Sequence, residues 1–234
     1  MELSKLKDKV CKESDIFEEI LTLDGKNILE LGCGKAQMTR LIATNGHDRR
    51  VMATEVDEIQ HAKNTLIEDL PNTIFLIAGS EDIPFGDDSF DVIFMFKSLH
   101  HVPVELMDEA LREVKRVLKP GGMVYISEPI FEGDFNEVLR LFHDEEKVRA
   151  AAYQAIKKSV DEQDLRLIEE FAFNTQMVFK SFEEFEANVI KVTHSDHRLS
   201  DKLYQLVKDK FALSMQEGGA KFLLPIRVDL LQKT

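Results

Sequence analysis

The chain has 234 residues, of which 44% are hydrophobic and 31% charged, and a formal net charge of -13. That length buries an ample core without cross-links, and two cysteines, Cys11 and Cys33, make neither a disulfide framework nor a cysteine zinc site. Without clustered Lys and Arg the acidic balance argues against nucleic acid as the main partner. No apolar run reaches spanning length, and the opening MELSKLKDKV carries charge where a signal peptide needs an apolar core. The expectation is a cytoplasmic protein with no membrane insertion.

Residues Ser4 to Leu23 carry apolar positions loosely at helical spacing, with a break near Ser14-Asp15, and predict one or two covering helices. Asp24-Gly25 turns the chain into a short buried strand, Asn27 to Leu31, which runs through Gly32-Cys33-Gly34 into a helix over Gln37 to Asn45. A strand, a glycine bend and a helix start gather free backbone N–H groups and the positive end of a helix dipole at one point. Glycine at such a bend takes positive φ cheaply and has no Cβ to hold a ligand off the backbone. A glycine pair alone is equally an ordinary turn. The second strand, Val51 to Thr54, ends in Glu55, where a doubly wound fold places a carboxylate that grips ribose hydroxyls.

Asp57 is an N-cap for a second helix expected to run to about Leu70, before Pro71. Thr73 to Ala78 and Phe90 to Phe96 read as strands buried on both faces, joined by the loop GSEDIPFGDDS. A helix opens at Pro103, with acids early and bases late, and stops at Pro120-Gly121-Gly122. Met123 to Ser127 is the fifth strand. Five alternations of strand and helix predict a doubly wound, Rossmann-like α/β fold, mostly parallel, with helices on both faces.

Beyond Glu128 the rhythm changes. Residues from about Asp134 to Phe173 read as helical, and ten of the sixteen Phe lie in this tail, so it must bury something. Ser181 to Glu184 is a second capping-box candidate, and Leu199 to Met215 another helix. Ala220 to Leu231 reads as a last strand, with Pro225 hinting at an edge or bulge. A further strand is read near Met177 to Phe179.

The stretches ILELGCGKA, VMATEVD, SEDIPFGDDSFDVIF, SLHHV and LREVKRVLKPGGMVYISEP, spanning Asn27 to Pro129, together resemble the class I S-adenosylmethionine-dependent methyltransferases, in particular the small-molecule subset labelled type 11. The resemblance implies a seven-stranded sheet with a helical insertion after the fifth strand. It divides the chain into cover helices (1–24), a methyltransferase core (25–130 and 216–234) and a helical lid or substrate region (131–215). It implies that Glu30, Gly32 and Gly34 cradle the methionine part of S-adenosyl-L-methionine, with Ala36 where a third glycine is usual. Glu55 would hold the ribose, Val56 would pack near adenine, and Phe96 and Lys97 would line the methionine end. An Asp common in the family is Gly79 here, so adenine reading falls to Ser80, Glu81 or Asp82.

Methyl transfer by in-line attack on the sulfonium needs alignment, no metal, and a general base only where the acceptor must lose a proton. His100 and His101 are the candidates for that base, against a plainer reading in which one caps a helix and the other packs. Glu128 is a candidate substrate contact or a counter-charge for Lys97, and the pairing is favoured. His143, Tyr153, His194 and His197 are further tail candidates. The expected reaction passes a methyl group to an O, N or C nucleophile of a small organic acceptor, leaving S-adenosyl-L-homocysteine, in a monomer or homodimer. The competing readings are an NAD-dependent oxidoreductase, weakened by Gln37 where the dinucleotide pattern wants glycine, and a non-catalytic cofactor-binding subunit.

Overall fold

The computed structural model describes residues 3, 6, 7, 9–191 and 198–234, so His194 and His197 lie outside the described residues. Five strands, β1 (Asn27–Leu31), β2 (Arg50–Glu55), β3 (Thr73–Ile77), β4 (Phe90–Phe96) and β5 (Leu118–Pro129), pair in parallel. Two long strands, β6 (Arg166–Phe179) and β8 (Gly219–Gln232), add antiparallel to the β5 side. The order is β3-β2-β1-β4-β5-β8-β6, with the short β7 (Met215–Gln216) paired to β8. The helices are α1 (Glu13–Ile20), α2 (Gln37–Thr44), α3 (Glu58–Asn64), α4 (Met107–Val117), α5 (Asp134–Leu139), α6 (Glu146–Asp161), α7 (Phe182–Phe185) and α8 (Asp201–Ala212).

Successive side chains of a strand point to opposite faces, so the sheet sorts its residues into two apolar layers. Ile28, Phe94, Phe96 and Tyr125 pack with Phe17 of α1. Phe17 stands 5.2 Å from Phe94 and 5.7 Å from Phe96, centroid to centroid. On the other face Leu29, Ile93, Val124 and Ile126 meet Leu111 and Val114 of α4 and Ala152 and Ile156 of α6. The tail phenylalanines join the first layer, with Phe135, Phe179, Phe185, Phe211 and Phe222 in mutual ring contact. Their job in the fold is to seat α5, α7 and α8 on the long β6–β8 ribbon.

Four sequence expectations are corrected. The helical reading of 134–173 fails at Arg166, where β6 begins. From Glu170 the segment has the period-two burial of a strand, Phe171 and Phe173 in, with Glu170 exposed and Ala172 and Asn174 only half-buried, and Leu165, Leu167 and Ile168 just before it masked the pattern. The second helix ends at Asn64 rather than near Leu70, and the helix expected from Pro103 begins at Met107 after a 3-10 turn. The strand carrying Pro225 is internal, not an edge. Its pairing with β5 stops at Pro129–Ile226, so the missing N–H of Pro225 faces past the end of β5 and breaks no ladder. The outer edge of β6 is covered by the N-terminal segment: Cys11 N donates to Asn174 O at 2.9 Å, and Asn174 N to Lys9 O at 2.8 Å.

Candidate functional site

Parallel strands bring their carboxyl ends to one rim, and Glu30, Glu55, Phe96 and Glu128 all stand at or next to those ends. In doubly wound sheets this rim is where ligands bind. The bend after β1 takes positive φ at Gly32 (74°), Gly34 (50°) and Ala36 (57°). The two glycines serve different needs. A Cβ on Gly32 would stand 2.7 Å from Ser98 Cβ, so that glycine permits a close approach of β1 and β4. A Cβ on Gly34 would meet no atom within 4 Å, so its bare backbone faces open space.

Glu55 is buried and braces this bend. Its Oε2 accepts from Gly34 N at 2.8 Å, and its Oε1 accepts from Val56 N at 2.8 Å and Asp57 N at 3.0 Å. Asp57 caps α3 as expected, and Asn64 at the far end of that helix donates to Gly34 O at 2.8 Å. Each carboxylate oxygen can accept more than one hydrogen bond, so Glu55 keeps acceptor capacity for a hydroxyl pair. Beside it Val56 is 66% exposed and presents an apolar surface next to the Glu55 carboxylate. Next to β3, the Glu81 carboxylate fills the place that a side chain on Gly79 would take. Ser80 is buried there and Asp82 exposed.

Glu30 is wholly enclosed one residue before the end of β1. Burial pushes its carboxyl up to about 8, against the opposing pull of Thr39 and Lys97. Thr39 Oγ1 donates to Glu30 Oε2 at 2.6 Å. Lys97 turns through positive φ (55°) and pairs with Glu13 of α1, not with Glu128 as the sequence favoured. The reason is facial: Glu128 alternates with Ser127 and points to the α4–α6 side, whereas Lys97 reaches the α1 side. Ten buried side-chain polar atoms lack a hydrogen-bond partner among the described residues, and Glu13 Oε1, Tyr125 Oη and Ser127 Oγ are three of them. Tyr125 and Ser127 share the face of β5 that meets α1, where burial and the neighbouring Glu13 carboxylate push the Tyr125 hydroxyl up.

Glu128 pairs with His100 instead. Its Oε2 meets His100 Nδ1 and its Oε1 accepts from Leu99 N at 3.0 Å. On the other side of the ring, His100 Nε2 faces Glu145 Oε1 at 3.6 Å. Burial alone would lower this imidazole, but the two carboxylates hold it up at about 9. Glu145 is in turn held well below the usual carboxylate range: desolvation opposes this, while His100 and Arg149 outweigh it. Arg149, one turn into α6, pairs with Glu145 and sends Nη1 to Asn136 Oδ1 at 3.3 Å. This chain of charges ties α6 to the ends of β4 and β5.

Comparison with known proteins agrees with the resemblance. A methyltransferase-domain family profile matches residues 29–126. Over that stretch the chain is similar to the methyltransferases. The O-methyltransferase rstn1 of Aspergillus nomiae is 32% identical over 142 residues, covering 56% of this chain and 59% of that protein. The ubiquinone/menaquinone biosynthesis C-methyltransferase UbiE of Vibrio parahaemolyticus is 34% identical over 118 residues, 46% of this chain and 44% of that one. The chain spans about half the length of the curated relatives it matches. A Bacillus halodurans protein classed with the methyltransferases superposes with a TM-score of 0.64 at 20% identity, covering 94% of this chain and 98% of that one, a likeness of fold.

Within the matched stretch and the tail after it, the structure brings His100, His101, Glu128 and His143 together. The rings of His100 and His101 stand 4.1 Å apart, and His143 Nε2 lies 3.0 Å from Glu145 Oε1. Tyr153 is elsewhere: its hydroxyl donates to Glu170 at 3.0 Å and its ring lies 4.0 Å below the Arg227 guanidinium. Sequence reasoning missed Glu13, Glu145 and Arg149. The signal was present for two of them, because Glu13 shares a helical stripe with Ile16, Phe17 and Ile20, and Arg149 shares one with Ala152 and Ile156. A charge on an apolar stripe announces a buried partner. No helix among the described residues is long and apolar enough to cross a membrane.

Proposed function

We propose that the protein binds S-adenosyl-L-methionine at the β1–β2 rim and transfers its methyl group to an O, N or C nucleophile of a small organic acceptor. The observation that carries this is the Glu55 brace: one buried carboxylate fixes the open Gly34 backbone and retains lone pairs at the end of β2. The residues present fit the cofactor. Gly34 leaves the space a Cβ would fill, Glu30 is a buried acid beside the bend, and Val56 offers an apolar wall. When bound, the cofactor supplies an electrophilic methyl on a sulfonium.

The chain's own work is then positional and electrostatic. Glu55 would orient ribose hydroxyls, Gly32 and Gly34 would admit the methionine portion, and Phe96 and Lys97 would close that end. Glu81, standing over Gly79, would take the adenine amino contact, with Ser80 beneath it and the exposed Asp82 at the margin. Ser127, whose hydroxyl has no partner among the described residues, and the neighbouring Glu13 and Tyr125 would orient a polar group of the acceptor on the α1 side. His101, at the exposed edge of the His100 network, is the better placed of the two histidines to take a proton, since His100 is enclosed between two carboxylates. The helices of region 131–215, whose strand β6 belongs to the sheet, would act as lid and substrate region in a cytoplasmic monomer or homodimer.

The deciding test is calorimetric titration with S-adenosylhomocysteine. Glu55→Ala should weaken binding by about 2 to 4 kcal/mol, from two hydrogen bonds to a charged group at roughly 1.5 to 3 each. Unchanged affinity would remove the ribose assignment. Tight binding with no methylated product from any small-molecule pool would instead identify a non-catalytic cofactor-binding subunit.

A further inference from the structure

The buried network at the ends of β4 and β5 holds more donors than an ion pair needs. We propose that His100, His101 and Glu145 form a binding site for a divalent transition metal of the zinc class, clamping the start of α6 to the turn after β4. One ligand atom from each of these residues lies within 4.8 Å of the others. The 3.6 Å between His100 Nε2 and Glu145 Oε1 is too long for a hydrogen bond. It is close to the spacing of two donors on one tetrahedral ion, about 3.3 to 3.5 Å for metal–ligand bonds of about 2.0 to 2.2 Å.

The surroundings are those of a metal-binding imidazole. A ligating histidine characteristically gives its other ring N–H to a carboxylate, which fixes the tautomer and turns the free lone pair to the ion. Glu128 does this at Nδ1 of His100, and is itself anchored by Leu99 N. Binding replaces the Nε2 proton of His100 with the ion. Arg149 occupies Oε2 of Glu145 and leaves Oε1 to the site, where His143 Nε2 lies 3.0 Å away as a further donor or hydrogen-bond partner. His101 sits at the exposed edge and provides the way in. Two imidazoles and one carboxylate favour zinc-like ions over magnesium or calcium, which take oxygen ligands. The absence of cysteine pairs in the sequence hid this site, because its ligands come from two segments that only the fold brings together. The site needs no bound methyl donor, but it takes the His101 imidazole that would otherwise accept the acceptor's proton, so the two roles of His101 are alternatives.

Cobalt(II), a spectroscopic substitute for zinc, tests it on the full chain. Titration should saturate at one equivalent, with visible ligand-field absorption of tetrahedral strength, and zinc should displace it. His101→Asn, at an exposed position and so safe for folding, should weaken cobalt binding at least tenfold. Glu128→Gln, which touches no metal, should weaken it by about 10 to 100-fold through the orientation of His100. His47→Asn, on the far side of the sheet's amino ends, should bind as the unaltered chain does. Absence of saturable cobalt binding, or equal affinity with and without the His101 imidazole, would overturn the site and leave His100 as an imidazolium between two carboxylates.

Discussion

Glu30 should link cofactor binding to proton release. It is fully enclosed, and its carboxyl sits at about 8 against an ordinary value of 4.5. For an acid raised in the fold, the native state keeps a proton that the unfolded chain has lost. Stability without ligand is therefore unaffected below about pH 4.5, falls as pH rises toward 8, and levels off above it, by up to the order of 5 kcal/mol. A cationic ligand beside the bend reverses this by favouring the carboxylate. If only the ionised form accepts the methionine portion, about 1% of the protein is competent at pH 6 and half at pH 8, so apparent affinity should rise about 50-fold between them. Near pH 7, binding should release about 0.9 proton. Calorimetry of S-adenosylmethionine binding in buffers of different ionisation enthalpy reads that number. Glu30→Gln, equal in shape and without charge, should lose the release and the Glu30 part of the pH slope; comparing the two proteins cancels titration of the ligand itself. It should also remove the loss of apo stability toward pH 8 seen by thermal unfolding. Equal proton release in both proteins would refute the reasoning.

Three further outcomes follow from the geometry. Gly32→Ala should lower stability by about 1 to 3 kcal/mol, since its Cβ enters Ser98 at 2.7 Å and the φ is positive, whereas Gly34→Ala should cost less in denaturant unfolding yet abolish most cofactor binding; a similar thermal midpoint for both would contradict the separate roles. Arg149→Ala should destabilise by about 3 to 5 kcal/mol by leaving Glu145 buried without its guanidinium, and urea midpoints would show it. Glu81→Gln should reduce affinity for S-adenosylhomocysteine by roughly 10-fold while sparing that for a 6-oxo (inosyl) analogue; equal losses for both would remove Glu81 from adenine reading.

The amino-acid sequence by itself determined the first half of this protein. Near-continuous apolar runs at Ile28, Val51, Ile74, Val92 and Val124, all but the third followed by a helix signal, admit little besides a parallel sheet. The glycine bend and Glu55 are local features whose spacing along the chain already reports their meeting at adjacent strand ends. The tail was less legible because its decisive pattern is weak locally: β6 alternates only from Glu170, and it becomes a strand by pairing with β8, more than forty residues later in the chain. Partner choice among charges was not legible at all. Lys97 took Glu13 and Glu128 took His100 because side-chain facing, set by the pleat of β5 and a left-handed turn at Lys97, decides which counter-charge lies within reach. Periodicity records what a segment does alone, whereas ion pairing in a buried rim depends on the relative placement of segments, which exists only once the sheet has formed.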